Sequence, residues 1–487
     1  MRRTGKIILM VLMSVLLISV CSLVLAAEGQ KASKAMTAKS KVAPAAKAAF
    51  DANKMGNMAG WDPANWVNPK GDSIRVAIVW PHSGPAAING QMAWLCATFV
   101  AYDINRRGGI MVDGKKKKIA LFKADSQSRP DIAKEVCERM VLQEKVHVLI
   151  GTSGSNIMKI INQVADKYKV ISLNIGALAD DLQDATNFSR YAFMTSDSTE
   201  AVGRGVAYFY GQIRKKEKKF YILCQDYSFG RELAEGFKKG LKEYYPEAEI
   251  VGEDYHKLFI TDFAPYLTKI MASGADVIYT GDWSPDAANL LKQSRQMGMT
   301  IPFANLFMDE PKMLAEIGVE GTKGLMNIKH FEIAGPAFDN PNVKKYYTAW
   351  NTEWKKFRTV PFNSVTFTWP WGTFGFWTHQ MYWFFSVMER ARSTDAEKII
   401  SVFEGDTYQY VNGRVVKMRA CDHKAIQGFR MCEFVEPEQQ KLSMNMPPYY
   451  WAQNSSMCGP SWDIPAEKVI PLMDQNLDRC KGKSATE

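Results

Sequence analysis

The sequence predicts an α/β chain of two similar lobes, each built on a mostly parallel sheet. Three observations carry this. From residue 74 onward, short apolar runs alternate with amphipathic segments of helical spacing, the pattern of parallel strands joined by right-handed crossover helices. That rhythm runs once over about 74–197 and again over about 198–322. The chain is 487 residues long, beyond the roughly 250–300 at which single cores stop growing.

The elements follow in order. Residues 1–27 read as an export signal peptide: Arg2, Arg3 and Lys6 precede the apolar run IILMVLMSVLLISVCSLVLA, and Val24-Leu25-Ala26 offers a small-residue cleavage site. An uncleaved anchor is the other reading, because the run approaches the roughly 20 residues that span a bilayer. Val20, before Cys21, is larger than lipid-anchor processing normally accepts. Residues 28–71 are Ala-, Lys- and Met-rich with little apolar periodicity and read as a flexible linker.

IRVAIVW (74–80), KIALFKA (118–124), VHVLIG (146–151) and VISLNIG (170–176) then read as strands buried on both faces, with helices over 90–107, 130–143 and 155–167 between them. FYILCQD (220–226), EIVGEDY (249–255), DVIYTGDW (276–283) and IPFANLF (301–307) repeat the pattern, with helices near 198–213, 230–244, 263–273 and 285–297. Beyond them, 324–331 reads as one more strand and 340–357 as a charged helix. The aromatic segment 369–391 contains Pro370, His379 and Gln380, so it reads as a helix buried against a lobe, not as a membrane span. Residues 413–435 alternate like a β-hairpin.

Composition excludes some functions. The net charge of +10 is misleading: residues 1–71 hold ten Lys/Arg against three Asp/Glu, which leaves 51 against 48 for 72–487. The folded part therefore gives no argument for nucleic acid. Hydrophobic residues make up 46%, too few for a polytopic membrane protein. Of the seven cysteines after the signal, Cys421, Cys432, Cys458 and Cys480 crowd near the C-terminus, which in an exported chain predicts disulfides. Pairing of neighbours, Cys421 with Cys432 and Cys458 with Cys480, is the expectation. Cys96 and Cys224 sit in apolar contexts as buried thiols.

The stretch LIGTSGSNIMK (149–159) passes from strand through a Gly/Ser turn into a helix. A nucleophile elbow needs G-x-S-x-G, but Ser155 stands where the second glycine belongs. Phosphate-loop and dinucleotide patterns also fail. Two readings remain for Ser155 at this helix start, with Asn156 beside it: it caps its own helix, or it helps the helix N-terminus hold a carboxylate. The six histidines show no metal-binding spacing, no metal or cofactor is expected, and the adjacent Asp422-His423 reads as a structural pair. Trp80, Phe229, Trp283 and Phe307 stand at strand ends, where parallel sheets bind ligands, and as a set could wall an apolar cleft.

VAIVWPHSGPAAING (76–90), AYDINRRGGI (101–110), IGTSGS (150–155), VISLNIGA (170–177), YSFGRELAEGFKKGL (227–241), DVIYTGDWSPDAANLLKQSRQMGM (276–299) and RACDHKAIQ (419–427) together resemble the type I periplasmic substrate-binding proteins of ABC transporters, of the leucine/isoleucine/valine-binding kind. The resemblance implies two Rossmann-like lobes joined by three crossover strands, closing on a small-molecule ligand that is delivered to an inner-membrane permease. Residues 72–197 and 198–322 would be the first parts of lobes one and two. Residues 323–393 would return to lobe one, and 394–487 would give lobe two a hairpin and a C-terminal extension. The Ser that holds the ligand carboxylate falls on Ser155, a backbone contact falls near Gly176-Ala177, and the lobe-two aromatic positions fall on Phe229 and Trp283.

Three departures bear on the ligand. Leu178 and Asn89 replace a family Thr and Tyr, and the acid that pairs with an amino-acid ammonium is missing from Asn305-Leu306-Phe307-Met308. Asp282 could supply that charge. The expectation is a periplasmic binding protein without enzymatic activity, for an amino-acid-like or other carboxylate solute. A receptor sensing module, or a hydrolase using Ser153 or Ser155 with His423, is the alternative.

Overall fold

The computed structural model describes residues 48–55, 57–329, 340–354, 372–436 and 457–487. The signal segment 1–27 and residues 28–47 lie outside them, as does the third crossover that the resemblance implies. Two sheets organise the chain. The first has six strands in the order Ile110–Val112, Lys115–Asp125, Ser73–Trp80, Val148–Gly151, Ile171–Asn174, Ala192–Met194, parallel except for its first pair. Its centre is buried on both faces because alternate residues serve different cores. Ile74, Val76, Ile78 and Trp80 join one apolar cluster, while Ala77 and Val79 join the other. Helix Ala87–Arg106 packs so closely at Gly90 that a Cβ there would lie 2.2 Å from the Pro81 carbonyl oxygen.

The second sheet has seven strands in the order Met457–Ile464, Phe429–Val435, Met326–Lys329, Phe303–Asn305, Val277–Thr280, Lys219–Gln225, Glu249–His256. Its last five are mutually parallel, and Phe429–Val435 pairs antiparallel on both sides. Helices Thr199–Tyr208, Ser228–Tyr244, Ala264–Ser273 and Asp286–Gln296 cover it, close to the predicted positions.

Several boundaries differ from the sequence reading. Strand Met326–Lys329 belongs to the second sheet, so the return to lobe one begins after residue 329 rather than at 323. Helix Ala396–Phe403 buries Ile399, Ile400 and Phe403 in the lobe-one core, which therefore extends well past 393. Within 413–435, Val415–Met418 and Ala425–Ile426 do pair antiparallel, in a small sheet with Ala48–Ala49 and Thr407–Gln409, but Phe429–Val435 leaves it and crosses to lobe two. This crossing and the one at 195–198 are tied by Gln427 Nε2, which donates to Asp197 Oδ1 at 2.8 Å.

The linker expectation fails for the described part of 48–71. Met55, Met58 and Trp61 are buried, and Trp61 Nε1 donates to Thr98 Oγ1 at 3.2 Å. Asn68 completes strand-like bonds with Leu121, donating to its carbonyl at 2.9 Å and accepting its N–H at 2.8 Å. Local periodicity was too weak to reveal a segment held by what it packs against. Helix Gly372–Ala391 is buried as expected, with Trp377, Trp383, Phe384 and Phe385 inside the lobe-one core. Each large apolar side chain removed from water contributes about 1.5–3 kcal/mol, which keeps this helix inside. Among the described residues no helix is long and apolar enough to cross a membrane.

The four C-terminal cysteines are all disulfide-bonded, but the pairing is Cys421–Cys480 and Cys432–Cys458. Neighbour pairing fails because Cys421 stays with lobe one while Cys432 enters the second sheet. There the unanticipated strand Met457–Ile464 sets Cys458 opposite Phe434, next to Cys432. Cys96, Cys137 and Cys224 are buried free thiols, and burial pushes the Cys137 thiol up to about 12, so it stays protonated.

Candidate ligand-binding site

The carboxyl ends of the two sheets supply the predicted site residues, and the lobes are in contact around them. One apolar cluster contains Ala77, Val79, Leu149 and Ala177 of lobe one together with Phe220, Phe229 and Trp283 of lobe two. Asn89 Nδ2 of lobe one donates to the Ser284 carbonyl of lobe two at 3.4 Å. Glu232, on helix Ser228–Tyr244, accepts from the backbone N–H groups of Asp180 and Asp181.

Ser155 is the first residue of helix Ser155–Tyr168, not its cap. Gly154 holds the cap position and offers no side chain, so no capping group covers the first-turn N–H groups. The Ser155 hydroxyl is buried and accepts the Ala179 N–H at 3.3 Å. It keeps its proton for another acceptor, beside the positive end of a helix. Asn156, one step on, is exposed and turns away from the interior. The N–H groups of Gly176 and Ala177 are already taken: both donate to Asn174 Oδ1, at 3.1 and 2.9 Å. Gly176 has to be glycine for close approach, since a Cβ would lie 2.7 Å from the Trp80 ring and 2.8 Å from the Thr152 carbonyl oxygen.

The four aromatic residues divide. Phe229 and Phe307 lie 6.2 Å apart, and Trp283 Nε1 donates to Tyr227 Oη at 2.9 Å, with the Tyr227 ring 5.7 Å from Phe229. Trp80 instead packs in the lobe-one core against Trp377, centroids 4.5 Å apart. Buried polar atoms at strand ends with no hydrogen-bond partner among the described residues include Trp80 Nε1, Thr152 Oγ1, Gln225 Oε1, Asp282 Oδ1 and Ser284 Oγ. Such groups are uncommon in native interiors because each costs about 1–3 kcal/mol, and a polar ligand is one way of satisfying them.

Two acids near the expected ammonium position, Asp309 and Asp282, already have side-chain partners. Asp309 is buried against Lys329, Oδ2 to Nζ 2.6 Å, and the same Nζ donates to the Leu306 carbonyl at 2.8 Å. Glu310 accepts the Met313 N–H at 3.0 Å, as a helix-start residue does. Asp282 lies 2.7 Å from His256 Nε2, both side chains fully buried. Burial alone would lower the His256 pKa, but the Asp282 carboxylate outweighs it and holds the imidazole above its usual value.

That shift has a consequence for stability. Because the folded pKa lies above the unfolded one, near 6.5, the pair's contribution is fully present below pH 6.5 and is lost as pH rises through the folded value. His256→Gln is expected to flatten this decline in urea-unfolding free energies measured from pH 5.5 to 9. An unchanged slope would show that another group causes it.

Asn174, Thr152, His256 and Lys329 did not emerge from the sequence as site residues. Asn174 and Lys329 did leave a signal, as polar residues closing otherwise apolar strand runs. Asp422 and His423 do not pair with each other. Asp422 binds Arg419, and His423 lies against Glu404 and the Ala192 carbonyl, so neither Ser155 nor Asp422 engages the imidazole as a hydrolase would require. Among the described residues, the one group of His, Cys and acidic side chains tight enough to hold a metal is Cys421, Asp422 and Cys480. Its sulfurs are bonded to each other and its carboxylate to Arg419.

Comparison with known proteins agrees with this architecture. An amino acid binding protein of Pseudomonas aeruginosa is 30% identical over 235 residues, 47% of this chain and 59% of that protein, so the chain spans less than two thirds of this relative's length. Two solved structures share the fold. A leucine-, isoleucine-, valine-, threonine- and alanine-binding protein from Brucella ovis, in its closed conformation, has a TM-score of 0.66 at 20% identity, covering 83% of this chain and 98% of that one. An ABC-transporter solute-binding protein from Rhodopseudomonas palustris with 3,4-dihydroxybenzoic acid bound has a TM-score of 0.64 at 18% identity, covering 81% and 98%. The family model described as periplasmic binding protein matches residues 73–440. With two α/β lobes, two described crossings between them and this match over most of its length, the chain belongs to the periplasmic binding protein family.

Proposed function

We propose that this chain is the exported solute-binding component of an ABC importer, and that its ligand is a small carboxylate without an α-amine, of which aromatic carboxylates are the foremost class. The observation that carries the ligand assignment is the state of the two acids nearest the expected ammonium position. Asp309 is ion-paired with Lys329 and Asp282 is hydrogen-bonded to His256, so each already has a partner that a ligand cation would have to compete with. An ammonium buried without its own counter-charge costs several kcal/mol. A carboxylate faces no such penalty at the start of helix Ser155–Tyr168, where the Ser155 hydroxyl and uncapped N–H groups can meet it. Phe229, Trp283 and Phe307 supply an apolar wall for the rest of the ligand. The Rhodopseudomonas palustris relative solved with a dihydroxybenzoate supports the class; the amino acid relatives set the competing one.

The ligand acts by binding the closed form better than the open one, so closure reports occupancy to the permease. A thermal-shift and calorimetry series comparing benzoate and hydroxybenzoates with leucine tests this. At about 100 times its Kd, the right ligand should add roughly 2.7 kcal/mol of stability. Leucine binding more tightly than the amine-free acids would overturn the assignment and return Asp282 to the role of counter-charge.

A further inference from the structure

Away from the strand ends, a cleft of about 640 Å³ opens between lobe one, lobe two and the C-terminal extension. Seven of its fourteen lining residues are Asp or Glu and three are Lys or Arg, an acidic patch on a folded part that holds 51 Lys/Arg against 48 Asp/Glu overall. Most of these acids have structural duties. Asp180 binds Lys424 at 3.0 Å, Asp181 binds Lys159, Asp474 accepts the Ala185 N–H at 2.8 Å, and Glu232 accepts the N–H groups of Asp180 and Asp181.

Glu200 is different. It is only 8% exposed, it lines the cleft, and its Oε2 has no partner among the described residues. Burial, with Asp180 nearby, pushes its carboxyl above the usual value, and the charges of Lys239, Arg204 and Lys424 only partly oppose this. A carboxylate held out of water without a partner is a site that a cation would relieve.

We propose that this cleft is a second binding site, specific for an alkylammonium cation such as a diamine or polyamine, with Glu200 as the ammonium acceptor. The wall chemistry selects this class over a metal ion. A divalent ion needs several oxygens converging at about 2.3–2.6 Å, and no group of three acidic side chains in this cleft approaches that closely among the described residues. The acids are instead spread along a trough whose C-terminal side carries Leu472, half exposed, and Met473. Methylenes lie on such residues while the charged ends reach the carboxylates. Because the walls come from both lobes, occupancy would also favour their contact.

Isothermal calorimetry on the full chain with spermidine and 1,5-diaminopentane, with calcium and magnesium chloride in parallel, tests this independently of the carboxylate site. The expected result is saturable polyamine binding that survives physiological salt and weakens at least about tenfold in Glu200→Gln. Leu472→Lys sets a cation at an exposed position and should weaken it similarly, which keeps the test informative if Glu200→Gln misfolds. Retained benzoate stabilisation in Leu472→Lys would show that the two sites are separate. Binding that is absent, unchanged in both variants, erased by physiological salt, or displaced by calcium at equal concentration would overturn the proposal.

Discussion

Asp422→Ala is expected to remove about 3–5 kcal/mol of unfolding free energy, a large share of what holds a protein folded. Asp422 and Arg419 are both fully buried and bonded in two places, Nε to Oδ1 at 2.8 Å and Nη2 to Oδ2 at 2.6 Å. The guanidinium also donates to the carbonyls of Pro471, Leu472 and Ala485, so one side chain fastens the C-terminal extension to lobe one. Removing the carboxylate strands the guanidinium in a dry interior. Replacing both partners by apolar residues avoids that penalty, so Arg419→Met/Asp422→Leu should lose less than Asp422→Ala alone. Urea unfolding of the three proteins measures this. A loss under about 1 kcal/mol for Asp422→Ala would mean that water reaches the pair.

The second large effect concerns the disulfide that closes over the same region. Cys421 and Cys480 are separated by 59 residues, and loop-closure entropy for a loop of that size gives about 4 kcal/mol when the bond is lost. The double variant Cys421→Ser/Cys480→Ser should therefore unfold at lower denaturant than the chain lacking Cys432–Cys458, whose 26-residue separation gives about 3.5 kcal/mol. Peptide mapping under non-reducing conditions checks the pairing itself. A Cys421–Cys432 crosslink would falsify the placement of strand Phe429–Val435 in the second sheet.

The sequence carried the regular elements well because their signals are local. Strands such as Ser73–Trp80 and Val277–Thr280 are continuous apolar runs, and helix Ser228–Tyr244 places Phe229, Leu233, Phe237 and Leu241 on one buried face. The site was legible only in part. Ser155 stands at a helix start and Phe229, Trp283 and Phe307 at strand ends, but Asn156 faces solvent and Trp80 packs into lobe one.

By itself the sequence determined the α/β class, the order of most strands and helices, and the apolar faces that must be buried. These follow from spacings of two to four residues, which backbone geometry turns directly into strands and helices. Only the tertiary structure decided which cysteines meet, that much of 48–71 is docked rather than loose, and that Lys329 and His256 are the partners of Asp309 and Asp282. Those partners are 20 to 59 residues apart in the two ion pairs and two disulfides. Nothing in a local pattern encodes such distances; they are fixed when two sheets and a C-terminal extension pack together and desolvated charges must find partners inside.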